Sequence, residues 1–336
     1  MMKILQLLVP TEQPRQHNYK GEIQNMNLMK CDYNKIKNWM YRNARPLDIA
    51  RWKYHFENGN RNDVITALLA YQNSDGGFGH GLEADSWNPN SSPIQAYAAC
   101  ELLFEIDCPR DEPIIQSILG YLESGLDFDG EVWLAEIPSN NNYPHAPWWS
   151  YEDNVKEEWG YNPTATLIGF ILCYGKKDTS IYIKAKDIAK KAIERYIAKT
   201  NSISMHESSC YIRLLNSLES MNKDKDYFFD ISSFKSKLIK GINYTIEQDS
   251  KKWNTTYCAT PSYFIDSPTS IFYLDNKKSM DTELDLLISS RNIDGVWDIT
   301  WNWGSYEKEF AISENWWKAN LVIKNLKLLR EFDRIL

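Results

Sequence analysis

Cysteine is scarce and unpaired in this chain. Its six cysteines (Cys31, Cys100, Cys108, Cys173, Cys210 and Cys258) are scattered and no CxxC pair occurs, which excludes a dense disulfide framework and fits reduced thiols. Cationic excess is also missing. Against 45 Asp and Glu stand 38 Lys and Arg, a net charge of -7 with no local basic stripe, so nucleic acid is not an expected partner. No run approaches the roughly 20 apolar residues of a membrane span. The opening MMKILQLLV is followed by Pro10, Glu12 and Arg15 too soon for a signal-peptide core, so a cytoplasmic location is expected. Oligomeric state leaves no trace in the composition.

Aromatic residues are abundant instead: 13 Trp, 20 Tyr and 12 Phe in 336 residues. Their placement follows from the helical pattern. Residues 1–28 are polar and aperiodic and read as a loosely ordered extension; helical periodicity fills 29–336, read as one domain. A leading helix is predicted over Tyr33 to Glu57, with a break at Pro46. Five pairs follow. They are Arg61 to Gln72 with Pro93 to Ile106; Glu112 to Ser124 with Pro163 to Tyr174, opened by Asn162 as cap; Ser180 to Lys199 with Met205 to Met221; Ser233 to Gln248 with a weaker run from Pro261 to Leu274; and Ser279 to Arg291 with Ser313 to Arg330. First members tend to be amphipathic and charged, second members small, apolar and aromatic, as in TATLIGFILCYG. That contrast suggests an outer and an inner wall. The predicted fold class is all-α, an α/α toroid of about five to six helical hairpins; an open superhelix is the competing arrangement. WDITWNW is the one place where a short strand or hairpin arm is expected.

The outer-to-inner connections, near Asn73 to Ser92, Gly125 to Tyr161, Ser250 to Thr260 and Asn292 to Ile312, are long, whereas the returns near Asp107 and Gly175 are short. The long set holds Trp87, Trp133, Trp148, Trp149, Trp159, Trp253, Trp297, Trp301 and Trp303. One decorated end, with aromatics at its mouth, is therefore the expected functional face.

The turn QNSDGGFG (residues 72–79) and its echo RNIDGVW (291–297) resemble the QW-type repeats of terpenoid cyclases and the glycine-rich turns of protein prenyltransferase β subunits, both α/α toroids. Gln72, Gly76, Gly77 and Phe78 carry the match, Arg291, Gly295 and Trp297 its partial copy, and Asn162 to Ala165 resemble a helix opening seen in cyclases. The resemblance implies the fold and, by extension, an isoprenoid chemistry. Two departures stand against the activity. No DxDD acid is present, and Asp127 to Gly130 reads as a turn. The zinc-binding DxC and distant His of prenyltransferases, and the Cys-His pattern of lanthionine cyclases, are missing, so no metal and no cofactor are expected.

The segment HGLEADSWNPN (80–90) gathers His80, Glu83 and Asp85 as candidate acid and base groups, with Trp87 and Asn88 as ligand contacts. A carboxyl held against aromatic faces has its charged form disfavoured and can act as a general acid. Capping by Asp85 or Asn88 and a solvated Glu83 are the structural alternatives. YPHAPWWSYED (143–153) sets His145 between prolines before Trp148 and Trp149, either a rigid aromatic ledge or a loop staple. Trp301 and Trp303 complete the ligand-binding candidates. His206 and Glu207 read as capping residues, and at least one of Trp316 and Trp317 as core. Three functions remain open: an acid-initiated isoprenoid cyclase with an aromatic cavity; a carbohydrate-active barrel using paired carboxylates and Trp platforms; and a non-catalytic binder. The expected partner is accordingly a small hydrophobic or carbohydrate ligand.

Overall fold

The computed structural model describes residues 26–153, 159–200, 203–221 and 230–336, so most of the expected N-terminal extension and residues 154–158 of the second long loop lie outside the described residues. The fold is all-α: 59% of the described residues are helical, and they hold eleven α-helices and no strand. They are α1 (Lys30–Asn43), α2 (Pro46–Phe56), α3 (Arg61–Leu69), α4 (Pro93–Glu105), α5 (Pro113–Ser124), α6 (Thr164–Tyr174), α7 (Ser180–Ala198), α8 (Met205–Ser220), α9 (Ile231–Thr245), α10 (Tyr273–Ser289) and α11 (Glu307–Glu331). None of the described helices is long and apolar enough to cross a membrane.

Local chemistry places the boundaries. Pro46, Pro93 and Pro113 each occupy the first turn of their helix, where no N–H is needed. Asn60, Ser92, Ser204 and Asp230 accept backbone N–H groups as caps. Four expectations need correction. Asn162 makes no capping bond to α6; its side-chain oxygen instead meets the Cys210 thiol at 3.3 Å. The expected helix from Pro261 to Leu274 is only a single 3-10 turn, Pro261–Tyr263, because Pro268 and the Ser and Thr around it favour turns. WDITWNW forms no strand. Residues 26–28 belong to the folded body: Leu28 is fully buried and pairs with the C-terminus through Arg334 and Leu336.

The two glycine turns share one geometry. In the first, Asn73 N–H donates to Gly77 O and Gly76 N–H to Asn73 O; in the second, Asn292 N–H donates to Val296 O and Gly295 N–H to Asn292 O. Gly76 and Gly295 both sit at φ +85, a conformation that disfavours any side chain. Phe78 and Trp297 follow as buried plugs.

Helix contacts link neighbouring and distant elements. α4 packs on α6, α6 on α8, and α11 on both α1 and α2, while α7 lies behind α5, α6 and α9. The 3-10 turn fills the place between α8 and α11, through Tyr263 to His206 of α8 and Lys324 of α11. Arg51 of α2 then joins both ends: its guanidinium donates to Glu105 of α4 at 2.8 Å, Asn320 of α11 at 3.0 Å and Asp48 at 3.1 Å. On the outside, Arg291 pairs with Asp32 of α1 at 3.2 Å.

Candidate active site

All four long connections meet. Ala146 N–H donates to Asp85 O and Trp87 N–H to Pro144 O, zipping the first loop to the second. The fourth loop reaches the first through Trp303, and the third touches the fourth where Tyr257 meets Trp301 edge-on at 5.5 Å. The expectation of one decorated face thus has a set of direct contacts behind it. Three of its tryptophans do not contribute: Trp133, Trp253 and Trp297 are buried, the last two donating to the Glu247 and Leu287 carbonyls.

Glu83 and Asp85 form the centre. Gln95, in the first turn of α4, holds their backbone, accepting Glu83 N–H at 2.6 Å and donating to Ser86 O at 2.9 Å. Asp85 N–H in turn donates to the Glu83 carboxylate at 3.1 Å. The Asp85 side chain is buried, and its Oδ1 accepts two indole N–H groups, from Trp303 and Trp317, each at 2.8 Å. Trp301 and Trp149 bring further N–H dipoles toward Asp85 and Glu83, although neither Nε1 completes a hydrogen bond of ordinary geometry.

Burial pushes the Asp85 carboxyl up to about 6 even though the indoles pull the other way. Glu83 is raised well above the ordinary carboxylate range, first by burial and then by the negative charge of Asp85 beside it. Two carboxyls so close do not ionise together easily. The indoles can only donate, so they favour the charged form on Asp85 and leave the proton on Glu83. Glu83 is also the more accessible of the two.

An aromatic wall continues from this pair. Trp317 meets Trp301 edge-on at 5.4 Å, Tyr257 stacks on His206 at 5.8 Å, and Trp159 stacks on Trp149 at 5.1 Å. His206 is not the capping residue expected. Its ring nitrogens meet Tyr257 Oη at 3.1 Å and Tyr263 Oη at 3.0 Å, and burial lowers its pKa. Glu207 is likewise a buried tie, accepting Tyr161 N–H at 3.0 Å and lying 3.4 Å from Lys199 Nζ. Trp316, stacked on Trp87 at 5.5 Å, and Trp317 both belong to the site, where one was expected in the core.

Several sequence candidates hold the site without entering it. His80 is exposed and its Nε2 meets Asn73 at 3.0 Å; no contact joins it to either carboxylate. Asn88 is buried and donates to Ser139 at 2.8 Å and Asn140 at 2.9 Å, a staple between loops. Both nitrogens of His145 are engaged, by Tyr143 O at 2.6 Å and Ser150 Oγ at 3.0 Å, so the staple alternative describes it. Trp87 donates to Ser313 Oγ at 2.8 Å. Trp148 is half-buried against the small cluster that includes Trp149 and Trp303.

Beyond the carboxylates the wall becomes ionic. Arg213 of α8 reaches over α6 to Glu101 of α4, with bidentate contacts of 2.9 and 2.6 Å. Arg213, Tyr97 and Lys324 are accessible to solvent yet strongly desolvated by the protein around them. Among the described residues, no group of three or more His, Cys, Asp or Glu side chains could hold a metal ion.

The chain matches no family model, no curated protein and no solved structure. The likeness to terpenoid cyclases therefore rests on the turn residues.

Proposed function

We propose that this chain is an α/α-toroid enzyme that acts on a saccharide, with Glu83 as proton donor and Asp85 as its fixed charge partner. The helix contacts, the bridging by Arg51 and the convergence of four loops support the toroid. One observation carries the activity: two carboxyls share a desolvated site in which the indoles of Trp303 and Trp317 hold Asp85, while burial raises Glu83 well above the ordinary carboxylate range, as a proton donor requires. A glycosidic oxygen needs such a proton as its bond breaks. Aromatic faces suit the apolar faces of a sugar ring, and Tyr257, Tyr263 and the Glu101–Arg213 pair offer polar partners to its hydroxyls.

Acid-initiated isoprenoid cyclisation is the second reading, favoured by the indoles around Asp85, whose π faces would stabilise a carbocation. The Glu101–Arg213 ion pair on the same wall weighs against it, because an ionic, wetted wall would quench that cation. The test offers purified protein and its Glu83→Gln variant an oligosaccharide panel and an isoprenoid panel. Oligosaccharide turnover that the substitution reduces by about 10²-fold or more supports the proposal. Turnover confined to isoprenoids would transfer the assignment to the second reading.

A further inference from the structure

The inner face of α11 continues past the carboxylate pair. Trp317, Asn320, Lys324 and Lys327 follow one another at helical spacing on a single stripe. Its orientation is set by contacts: Trp317 donates to Asp85, and Asn320 accepts from Arg51. Lys324 lies ~10 Å along the helix axis from Trp317, and Lys327 ~5 Å further.

These two lysines differ from Arg45, Arg51 and Arg213. Arg51 is matched by Asp48 and Glu105, Arg213 by Glu101, and Arg45 by Asp48. Among the described residues, neither Lys324 nor Lys327 has a carboxylate within ion-pair distance. Lys324 Nζ rests 5.2 Å from the centre of the Tyr263 ring. The nearest acids are otherwise engaged. Glu283, which acts on Lys324, accepts both Ser262 N–H and Ser262 Oγ at 2.6 Å; Glu105, which acts on Lys327, is held by Arg51 and His55. Asp266 also acts on Lys327 without forming an ion pair with it.

We propose that Lys324 and Lys327 form an oxyanion subsite, which receives a carboxylate or phosphate group on the saccharide whose reacting end sits at Glu83. The subsite rests on the saccharide reading for its ligand, but its chemistry is independent of catalysis. Desolvation lowers the pKa of both lysines, and an arriving anion would favour their charged form. A charge-assisted hydrogen bond from an ammonium group to an oxyanion is stronger than one between neutral partners.

Reductive methylation with isotope-labelled methyl groups gives each lysine an NMR signal, and Lys324→Arg and Lys327→Arg each delete one signal and assign it. Inorganic phosphate, glucuronate and glucose are then titrated into the protein at constant ionic strength. The two assigned signals should shift saturably with phosphate or with glucuronate and not with glucose. A roughly tenfold preference between the two anions identifies the source of the charge. Lys324→Met should weaken that binding about tenfold, whereas Glu83→Gln should leave it intact, which separates failure of the subsite from failure of the proton-donor assignment. The subsite is overturned if, in the unsubstituted chain, these two signals move no more than those of surface lysines, or move equally with chloride.

Discussion

Trp317 donates its indole N–H to Asp85 across 2.8 Å, tying the last helix to the loop that follows the first glycine turn. The same oxygen accepts Trp303. A carboxylate with two donors and little solvent is held firmly, and its electrostatic state becomes part of the fold.

Asp85→Asn should therefore alter both stability and pH response. The folded chain holds its Asp85 proton up to about pH 6, whereas an unfolded chain releases it near its ordinary value. Between about pH 4 and pH 6 the folded state keeps the Asp85 proton and the unfolded state does not, so the Asp85 contribution to stability falls as pH rises through that window, by about 3 kcal/mol in all, and is flat above it. Glu83 contributes with the same sign. Urea unfolding of wild type and Asp85→Asn across this range should show the stability difference changing by that amount; a pH-independent difference would contradict the assigned shift.

Glu83→Gln should keep the fold and lose about 10²- to 10⁴-fold in kcat if Glu83 is the proton donor. The wild-type rate should also decline on the alkaline side as Glu83 releases its proton. Retention of full rate by this variant on any substrate found would refute the role.

Arg51→Met should be among the most damaging substitutions away from the carboxylates. Arg51 joins α2, α4 and α11, and its charge holds Glu105 well below the ordinary carboxylate range against the opposing effect of burial. Removal leaves Asp48 and Glu105 short of a partner, an expected loss of about 3–5 kcal/mol measurable by chemical denaturation.

Gly76→Ala should test the shared turn. A β-carbon there would lie 2.3 Å from Ser117 O, in a backbone already at φ +85, so a loss of about 2–5 kcal/mol is expected. At Gly130, φ +105, nothing lies within 4 Å of such a carbon, and Gly130→Ala should cost only about 1–2 kcal/mol. Equal melting points for the two variants would show that the Ser117 contact is unimportant.

Asn88→Ala separates a staple from a ligand contact. Loss of its bonds to Ser139 and Asn140 should lower stability by about 1–3 kcal/mol with KM unchanged. A raised KM at unaltered stability would return Asn88 to the binding surface.

Much of the helical framework was legible in the residues. Pro46, Pro93 and Pro113 mark starts through local sterics, and the glycines of the two turns mark stops, so most helix limits lie within a few residues of expectation. The segment from 261 to 274 was misread because its apolar spacing suits a helix while its prolines and hydroxyl residues favour turns. Within the site, Glu83, Asp85 and Trp303 stood out as acids and aromatics in long loops. Gln95 and His206 did not, since a polar residue in a helix's first turn has an ordinary capping explanation, and nothing in the loop around Tyr257 marked it.

The sequence by itself determined an all-α chain with paired helices, repeated glycine turns and aromatic-rich long loops, because these follow from periodicity and backbone sterics over a few residues. Only the tertiary structure decided that Asp85 meets Trp317, that Arg213 reaches Glu101, and that Lys324 and Lys327, on the stripe of α11 that carries Trp317, have no paired carboxylate among the described residues. Such pairs join residues far apart in the chain. Their desolvation, and hence their chemistry, exists only once the helices have closed around them.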